Sequence, residues 1–147
     1  KNPRVIAVKN SSMPVQDIQM FKAAGQDNFM VFNGPDEQFI SGRIMGAEGG
    51  IGGTYGAMPA LILKMDELVR AAKMEEAREV QYAVNEIIYK LCSGRGNMYA
   101  MIKEVLRINE GLDIGSVREP LTGLNENDKE IAKEAARMIQ DAIAKYC

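Results

Sequence analysis

The stretch "FMVFNGPDEQFISGRIMGAEGGIGG" (residues 29–53) contains an apolar run, a segment with helical spacing and a glycine-rich run. The apolar run at 29–32 is predicted to be a buried β-strand, followed by a turn and a short helix. The inward residues of that helix are expected to be Phe39, Ile40 and Ile44. The glycine-rich run at 49–53 is predicted to be the next strand. This order of elements predicts two parallel strands joined by a helical crossover.

The residues before this stretch extend the same pattern. "VIAV" (residues 5–8) is predicted to be a further strand, buried on both faces of the sheet. The helical segment after it has Ser12 as its candidate cap and Gly25 as its end. The first part of the chain is therefore expected to be a βαβαβ unit with a parallel sheet, which is an α/β fold.

The residues after about 57 predict helices only. The predicted helices cover residues 57–72, 75–92, 97–109 and 128 onward. The helix at 75–92 has one apolar face, made of Ala77, Val80, Val84, Ile87, Ile88 and Leu91. Gly111 is expected to end the third of these helices, and an Asn127–Glu130 capping box to begin the last. We divide the chain into a βαβαβ part (1–56) and a helical part (57–147).

The composition excludes several kinds of function. The chain has 147 residues, a formal net charge of −2 and no histidine. Interspersed charges of both signs give no basic patch for nucleic acid, and no apolar run reaches the ~20 residues that span a membrane. Without histidine there is no Ser-His or Cys-His pair, and Cys92 and Cys147 are too few for a zinc site. We expect a soluble, cytoplasmic protein.

Lys9 is predicted to lie where the first strand meets its loop, at the edge where α/β folds bind ligands. A partly desolvated lysine has a lowered pKa, and the neutral amine can attack a carbonyl group. A lysine at the end of a strand can equally extend into solvent without any chemical role. Position alone leaves both interpretations open.

The turn "NGPDE" (33–37) lies at the corresponding end of the second strand. Asp36 and Glu37 could accept hydrogen bonds from a polyhydroxylated ligand, or they could cap the helix that follows. "GGIGGTYG" does not fit a dinucleotide motif, because Tyr55 stands where the third glycine is needed. Glycine in this strand is expected to let a ligand or another backbone segment approach closely.

Three segments together carry a family resemblance: "VIAVKNSS", "VFNGPDEQFISGRIMGAEGGIGGTYG" and "VREPLTGL". In this order and at this spacing the chain resembles the C-terminal half of the N-acetylneuraminate lyase and dihydrodipicolinate synthase family of class I aldolases. The adjacent acidic pair of "NGPDE" favours the N-acetylneuraminate lyase branch. The resemblance implies a (β/α)8, or TIM, barrel with a C-terminal helical extension. This chain would hold about strands six to eight, the last barrel helix and the extension.

The resemblance also implies roles for individual residues. Lys9 matches the lysine that forms a Schiff base with a 2-oxo acid, normally pyruvate. The matching substrate-binding positions are Ser11, Gly34, Asp36, Glu37, Ile51, Gly52 and Gly53. The lyases usually have a serine where this chain has Gly53, which makes selectivity for sialic acid an open question. No metal or organic cofactor is expected.

The resemblance further implies that the chain is incomplete as an enzyme. The family's carboxylate-binding turn and its proton-relay tyrosine belong to the N-terminal half, and neither is found in this sequence. We expect the partner to be that missing half or another copy of the chain, within a homo-oligomer. The alternatives to a sialic acid lyase are a dihydrodipicolinate synthase, a 2-keto-3-deoxy sugar acid aldolase, or an inactive half-barrel that folds by self-association.

Overall fold

A computed structural model describes residues 2–147. Within them the chain forms three parallel β-strands and six α-helices. The strands are β1 (Ala7–Asn10), β2 (Met30–Asn33) and β3 (Gly49–Gly50). The helices are α1 (Gln16–Ala24), α2 (Phe39–Ile44), α3 (Pro59–Arg70), α4 (Met74–Leu91), α5 (Met98–Glu110) and α6 (Glu126–Tyr146), with a 3-10 helix (Asp36–Gln38) before α2. The predicted α/β class is confirmed.

The strands are arranged in the order β1-β2-β3, each parallel to its neighbour. Lys9 pairs with Phe32, and Asn33 pairs with Gly50. Because all strands run the same way, their carboxyl ends lie along one edge of the sheet, which we call the carboxyl edge. The segments that follow β1, β2 and β3 therefore lie side by side.

The buried apolar residues form two clusters. The small cluster comprises Ile18, Val31 and Ala47, and it joins α1 to one face of the sheet. The large cluster lies among α3, α4, α5 and α6 and also includes Phe39 of α2. Phe39 connects the two parts of the chain, whose division at residues 56 and 57 stays a prediction.

The prediction that the first strand is buried on both faces is wrong. The strand begins two residues later than expected, and Val5 and Ile6 are 53% and 62% exposed. Val8 packs on the small cluster beneath α1, whereas Lys9 points to the opposite side and is exposed. Within residues 2–147 no element covers that opposite side, and the run "VIAV" could not reveal this.

The glycine-rich strand is also shorter than predicted. β3 contains Gly49 and Gly50 rather than residues 49–53. Ile51 makes one more ladder-like bond, from its N–H to the Asn33 carbonyl oxygen at 2.9 Å. The chain then leaves the sheet, because Thr54 bonds to Asp36 in the neighbouring turn.

The helical predictions are mostly confirmed. All six residues on the predicted apolar face of α4 are buried, and α5 ends at Gly111, where φ is 67°. Ile44 was expected to face inward, but it is 61% exposed because it is the last residue of the short helix α2. Ser12 does not cap α1; its hydroxyl donates to Asp17 in the first turn. No helix within residues 2–147 combines the length and apolar character needed to cross a membrane.

The capping box of α6 lies two residues earlier than predicted. Asn125 Oδ1 accepts from the Asp128 N–H at 2.9 Å, and Asp128 Oδ2 accepts from the Asn125 N–H at 3.0 Å. The Asp128 carboxylate also accepts from the N–H groups of Arg95 and Gly96. These bonds fix the start of α6 at Glu126, because Asp128 must be the third helical residue to reach both segments.

Candidate active site at the carboxyl edge

The predicted site residues follow the three strands along the carboxyl edge. The Gly34 N–H donates to the Asn10 carbonyl oxygen at 2.8 Å, which continues the pairing of β1 and β2 past their ends. The bond from Ile51 to Asn33 does the same for β2 and β3. The residues at this edge are Lys9, Ser11, Gly34, Asp36, Glu37, Ile51, Gly52 and Gly53.

Lys9 is the third residue of β1, directly opposite Phe32. Paired residues of neighbouring strands project to the same side, so Lys9 and Phe32 share the face of the sheet that lies opposite α1. The lysine was expected to be partly desolvated at the end of the strand. In the described chain it is exposed, because this face is uncovered.

Ser11 and Gly34 are in close contact at the ends of β1 and β2. A Cβ atom built on Gly34 would lie 2.3 Å from Ser11 Oγ and 2.6 Å from the Asn10 carbonyl oxygen. The absence of a side chain at residue 34 therefore allows the serine loop to lie against the turn. Ser11 itself is exposed, so its hydroxyl can reach a ligand at this edge.

Asp36 is buried and is held by Thr54. Its Oδ2 accepts from the Thr54 N–H at 2.9 Å and from Thr54 Oγ1 at 2.6 Å. Its Oδ1 is also buried and has no partner among the described residues. Asp36 thus bonds to a residue eighteen positions away, whereas the capping alternative required a bond to its own helical turn.

Gly52 lies against the second oxygen of this carboxylate. A Cβ atom on Gly52 would lie 1.6 Å from Asp36 Oδ1 and 2.6 Å from Tyr55 Cε1, which is closer than any real contact. Only glycine permits this approach of the third strand's loop to the turn after β2. Close approach at a glycine was predicted for a ligand or another backbone segment, but the group that lies against Gly52 is the side-chain carboxylate of Asp36.

Glu37 differs from its neighbour because its side chain is exposed. Its backbone carbonyl oxygen accepts a hydrogen bond from Asn85 Nδ2 of α4 at 3.1 Å. The acidic pair therefore divides into one buried carboxylate that joins two loops and one carboxylate that is free to meet solvent or a ligand. From the sequence alone the two acidic residues could not be distinguished.

Tyr55 is a site residue that sequence reasoning did not identify. Its ring packs edge-on against Phe39, with the ring centres 6.0 Å apart, and its hydroxyl is buried without a partner among the described residues. Burial raises the pKa of Tyr55 well above its usual range, and the nearby Asp36 carboxylate raises it further. The phenol therefore stays neutral near pH 7. Its position two residues after the glycine run was the available signal.

A residue of the helical part also reaches this edge. A Cβ atom on Gly53 would lie 3.1 Å from Tyr99 Cε1 and 3.3 Å from its hydroxyl oxygen. Tyr99 is in the first turn of α5 and is half-exposed. The start of α5 thus borders the site, although nothing in the sequence pattern linked residue 99 to the strands. Within residues 2–147 no group of His, Cys, Asp or Glu residues is arranged to hold a metal ion.

Comparisons with known proteins agree with this architecture. The sequence profile of the Dihydrodipicolinate synthetase family matches residues 1–140. The N-acetylneuraminate lyase of Mediterraneibacter gnavus is 68% identical over 99% of this chain, which corresponds to 46% of that protein. The chain therefore spans about half the length of the curated relatives it matches.

Solved structures give the same result. The wild-type Ruminococcus gnavus sialic acid aldolase is 67% identical with a TM-score of 0.97, and its catalytic lysine mutant is 66% identical with the same score. Each match covers 99% of this chain and 48% of the other. The Fusobacterium nucleatum N-acetylneuraminate lyase complexed with pyruvate is 29% identical, with a TM-score of 0.84 over 94% of this chain and 46% of that one.

These matches extend along nearly the whole chain, and they include the strands, the carboxyl edge and the helical part. They confirm the resemblance inferred from the sequence and the partial TIM-barrel fold that it implied. The chain belongs to the Dihydrodipicolinate synthetase family.

Proposed function

We propose that this chain supplies the C-terminal half of a pyruvate-dependent class I lyase. Its substrate would be N-acetylneuraminate or a related 2-oxo sugar acid, cleaved to pyruvate and an aldehyde. The observation that carries the proposal is an exposed lysine on the uncovered sheet face, next to a carboxyl edge lined by Ser11 and Glu37. The 68% identity to an N-acetylneuraminate lyase supports this substrate class.

The chemistry assigned to Lys9 is covalent. Its neutral amine attacks the C2 carbonyl carbon of the 2-oxo acid, and loss of water forms a protonated imine. A base takes the proton of the C4 hydroxyl, the C3–C4 bond breaks, and its electron pair moves into the imine to give an enamine. The aldehyde leaves, C3 is protonated, and water releases pyruvate and the free lysine.

One detail of the comparisons agrees with a lysine of this chain as the nucleophile. At equal coverage, the catalytic lysine mutant of the Ruminococcus gnavus aldolase is one percentage point less identical to this chain than the wild type. Such a drop is expected if the substituted lysine aligns with a lysine of this chain. Lys9 is the lysine that extends from the uncovered face of the sheet.

The distal end of the substrate would contact the loops that follow β1 and β2. Glu37 is exposed and can accept hydrogen bonds from sugar hydroxyl groups, and Ser11 can donate or accept one. Asp36 would contribute through its unpartnered Oδ1 or by holding the turn. Ile51, Gly52 and Gly53 would border the pyruvate side through their backbone.

The proposal includes the partners that this chain would need. A second half of the barrel would cover the uncovered sheet face, supply the base for the C4 hydroxyl and desolvate Lys9. We also propose a homo-oligomer in the cytoplasm. The two free cysteines, Cys92 and Cys147, are compatible with a reducing compartment.

The test is pyruvate release from N-acetylneuraminate by the full-length protein that carries this chain. We expect activity in the unsubstituted protein and its loss in Lys9→Ala, with Lys22→Ala as the matched control on α1. Retention of activity by Lys9→Ala would refute the role of Lys9. Cleavage of another 2-oxo sugar acid, with none of N-acetylneuraminate, would move the assignment to a different substrate of the same class.

A further inference from the structure

A buried glutamine of α4, Gln81, bonds to the backbone of the turn that contains Asp36 and Glu37. Gln81 of α4 is 3% exposed. Its Nε2 donates to the Asp36 carbonyl oxygen at 3.1 Å, and its Oε1 accepts from the Ile40 N–H at 3.1 Å. One side-chain amide thus bonds to the backbone of the first residue of the 3-10 helix and of the second residue of α2, forty-five and forty-one positions away in sequence.

A second amide on α4 extends this contact. Gln81 Nε2 also donates to Asn85 Oδ1 at 2.9 Å, and Asn85 Nδ2 donates to the Glu37 carbonyl oxygen at 3.1 Å. The pair lies one helical turn apart on α4, so both side chains face the same turn. We call Gln81 and Asn85 the amide pair.

The amide pair bonds to the backbone of Asp36, Glu37 and Ile40 and makes no bond to either carboxylate group. Its effect is therefore on where the carboxylates lie. Buried amide hydrogen bonds have well-defined geometry, and removing one partner leaves the other unsatisfied in the interior. The amide pair therefore ties the backbone of the turn to α4, in the helical part of the chain, while Thr54 holds the Asp36 carboxylate.

We propose that Gln81 is a positioning residue for substrate selectivity: it fixes the Asp36–Glu37 turn so that this turn can recognise the polyhydroxylated end of a long 2-oxo sugar acid. The inference rests on the proposed function. Displacement of a contacting group by about 1 Å is enough to lower turnover strongly. Gln81 would act through the turn and would leave the chemistry at Lys9 unaffected.

The test compares two substrates in the full-length protein. N-acetylneuraminate has the polyhydroxy tail, and 4-hydroxy-2-oxopentanoate has the cleavable bond without it. The main variant is Gln81→Met, which keeps the length of the side chain and removes its hydrogen bonds. Asn85→Leu removes the bond to Glu37 and the one from Gln81, and keeps the bonds of Gln81 to Asp36 and Ile40. Gln140→Met is the matched control at an exposed position of α6.

We expect the ratio of kcat/KM for the long substrate to that for the short one to fall about tenfold in Gln81→Met. A smaller fall is expected in Asn85→Leu and none in Gln140→Met. Borohydride reduction in the presence of pyruvate fixes a covalent adduct on each lysine that can form the imine. Both kcat values are divided by the amount of this adduct, so that only protein with a competent lysine is counted. A merely structural role would lower both substrates in parallel and leave the ratio unchanged.

The outcomes distinguish this inference from the function on which it rests. An unchanged ratio in Gln81→Met, with adduct still formed, overturns the positioning role and leaves the lyase assignment intact. Absence of any pyruvate adduct in the unsubstituted protein overturns the lyase assignment and this inference with it. If Gln81→Met fails to fold, Asn85→Leu decides: a lower ratio supports the inference, and an unchanged one overturns it.

Discussion

Replacement of Thr54 by valine tests the contact that joins the loops after β2 and β3. Valine has nearly the same shape, so the change removes the hydroxyl donor to Asp36 Oδ2 at 2.6 Å and keeps the N–H donor at 2.9 Å. A hydrogen bond to a charged group contributes about 1.5–3 kcal/mol, and both residues are buried, so little solvent screening applies. We expect Thr54→Val to lower the free energy of unfolding by about 2 kcal/mol.

Urea unfolding measures this loss. With a slope of about 2 kcal/mol per M, the midpoint should move down by about 1 M. Thr122→Val is the matched control, since Thr122 is exposed, and its midpoint should stay within about 0.3 M. A double-mutant cycle with Asp36→Asn should give a coupling energy above ~1 kcal/mol. A change below ~0.5 kcal/mol in Thr54→Val, or zero coupling, would refute the assigned contact.

The other predictions concern packing, pH and ligand contact. Gly52→Ala should lower the free energy of unfolding by about 1–3 kcal/mol, because the new Cβ atom would overlap Asp36 Oδ1. Gly56→Ala is the control, since the space around Gly56 is open, and it should change this free energy by less than ~0.5 kcal/mol in the same urea assay. The backbone N–H groups of Asn125 and of residues 95 and 96 hold the pKa of Asp128 below its usual range, although burial acts in the opposite direction. The stability that this carboxylate contributes is therefore present above pH ~4, and it is lost as the pH falls through the lowered pKa of the folded state. In Asp128→Asn, the free energy of unfolding should fall less steeply below pH ~4 than it does in the unsubstituted protein. The same dependence on pH in both proteins would contradict this. Glu37→Gln should raise KM for N-acetylneuraminate about tenfold and leave the yield of pyruvate adduct unchanged; an unchanged KM would remove Glu37 from the binding site.

Local sequence signals predicted those parts of the fold that depend on local physics. The apolar face of α4 follows from helical periodicity, and the end of α5 follows from a glycine at the required position. The glycine run was linked to close approach, and Gly52 does lie against another group, but the sequence did not identify that group as the Asp36 carboxylate. The family could be recognised because three segments keep their order and spacing.

The remaining features depend on contacts between distant parts of the chain. Asp36 bonds to Thr54 and to a helix more than forty residues away, so the sequence could not indicate which of the two acidic residues is buried. Val5 and Ile6 lie before β1 and are exposed, and apolar character alone does not show that the strand begins after them. The capping box was misplaced because both Asn125 and Asn127 are suitable caps for α6. The N–H groups of residues 95 and 96 bond to Asp128, and these bonds favour Asn125 as the cap.

The most direct test of the proposed lyase site is borohydride reduction in the presence of pyruvate, followed by mass mapping of the modified peptide. In the full-length protein that carries this chain, hydride would reduce the imine carbon and fix one pyruvate to one lysine. We predict a single adduct on Lys9, absent without pyruvate and absent in Lys9→Ala. An adduct on a different lysine, or none at all in a protein that cleaves N-acetylneuraminate, would contradict the account.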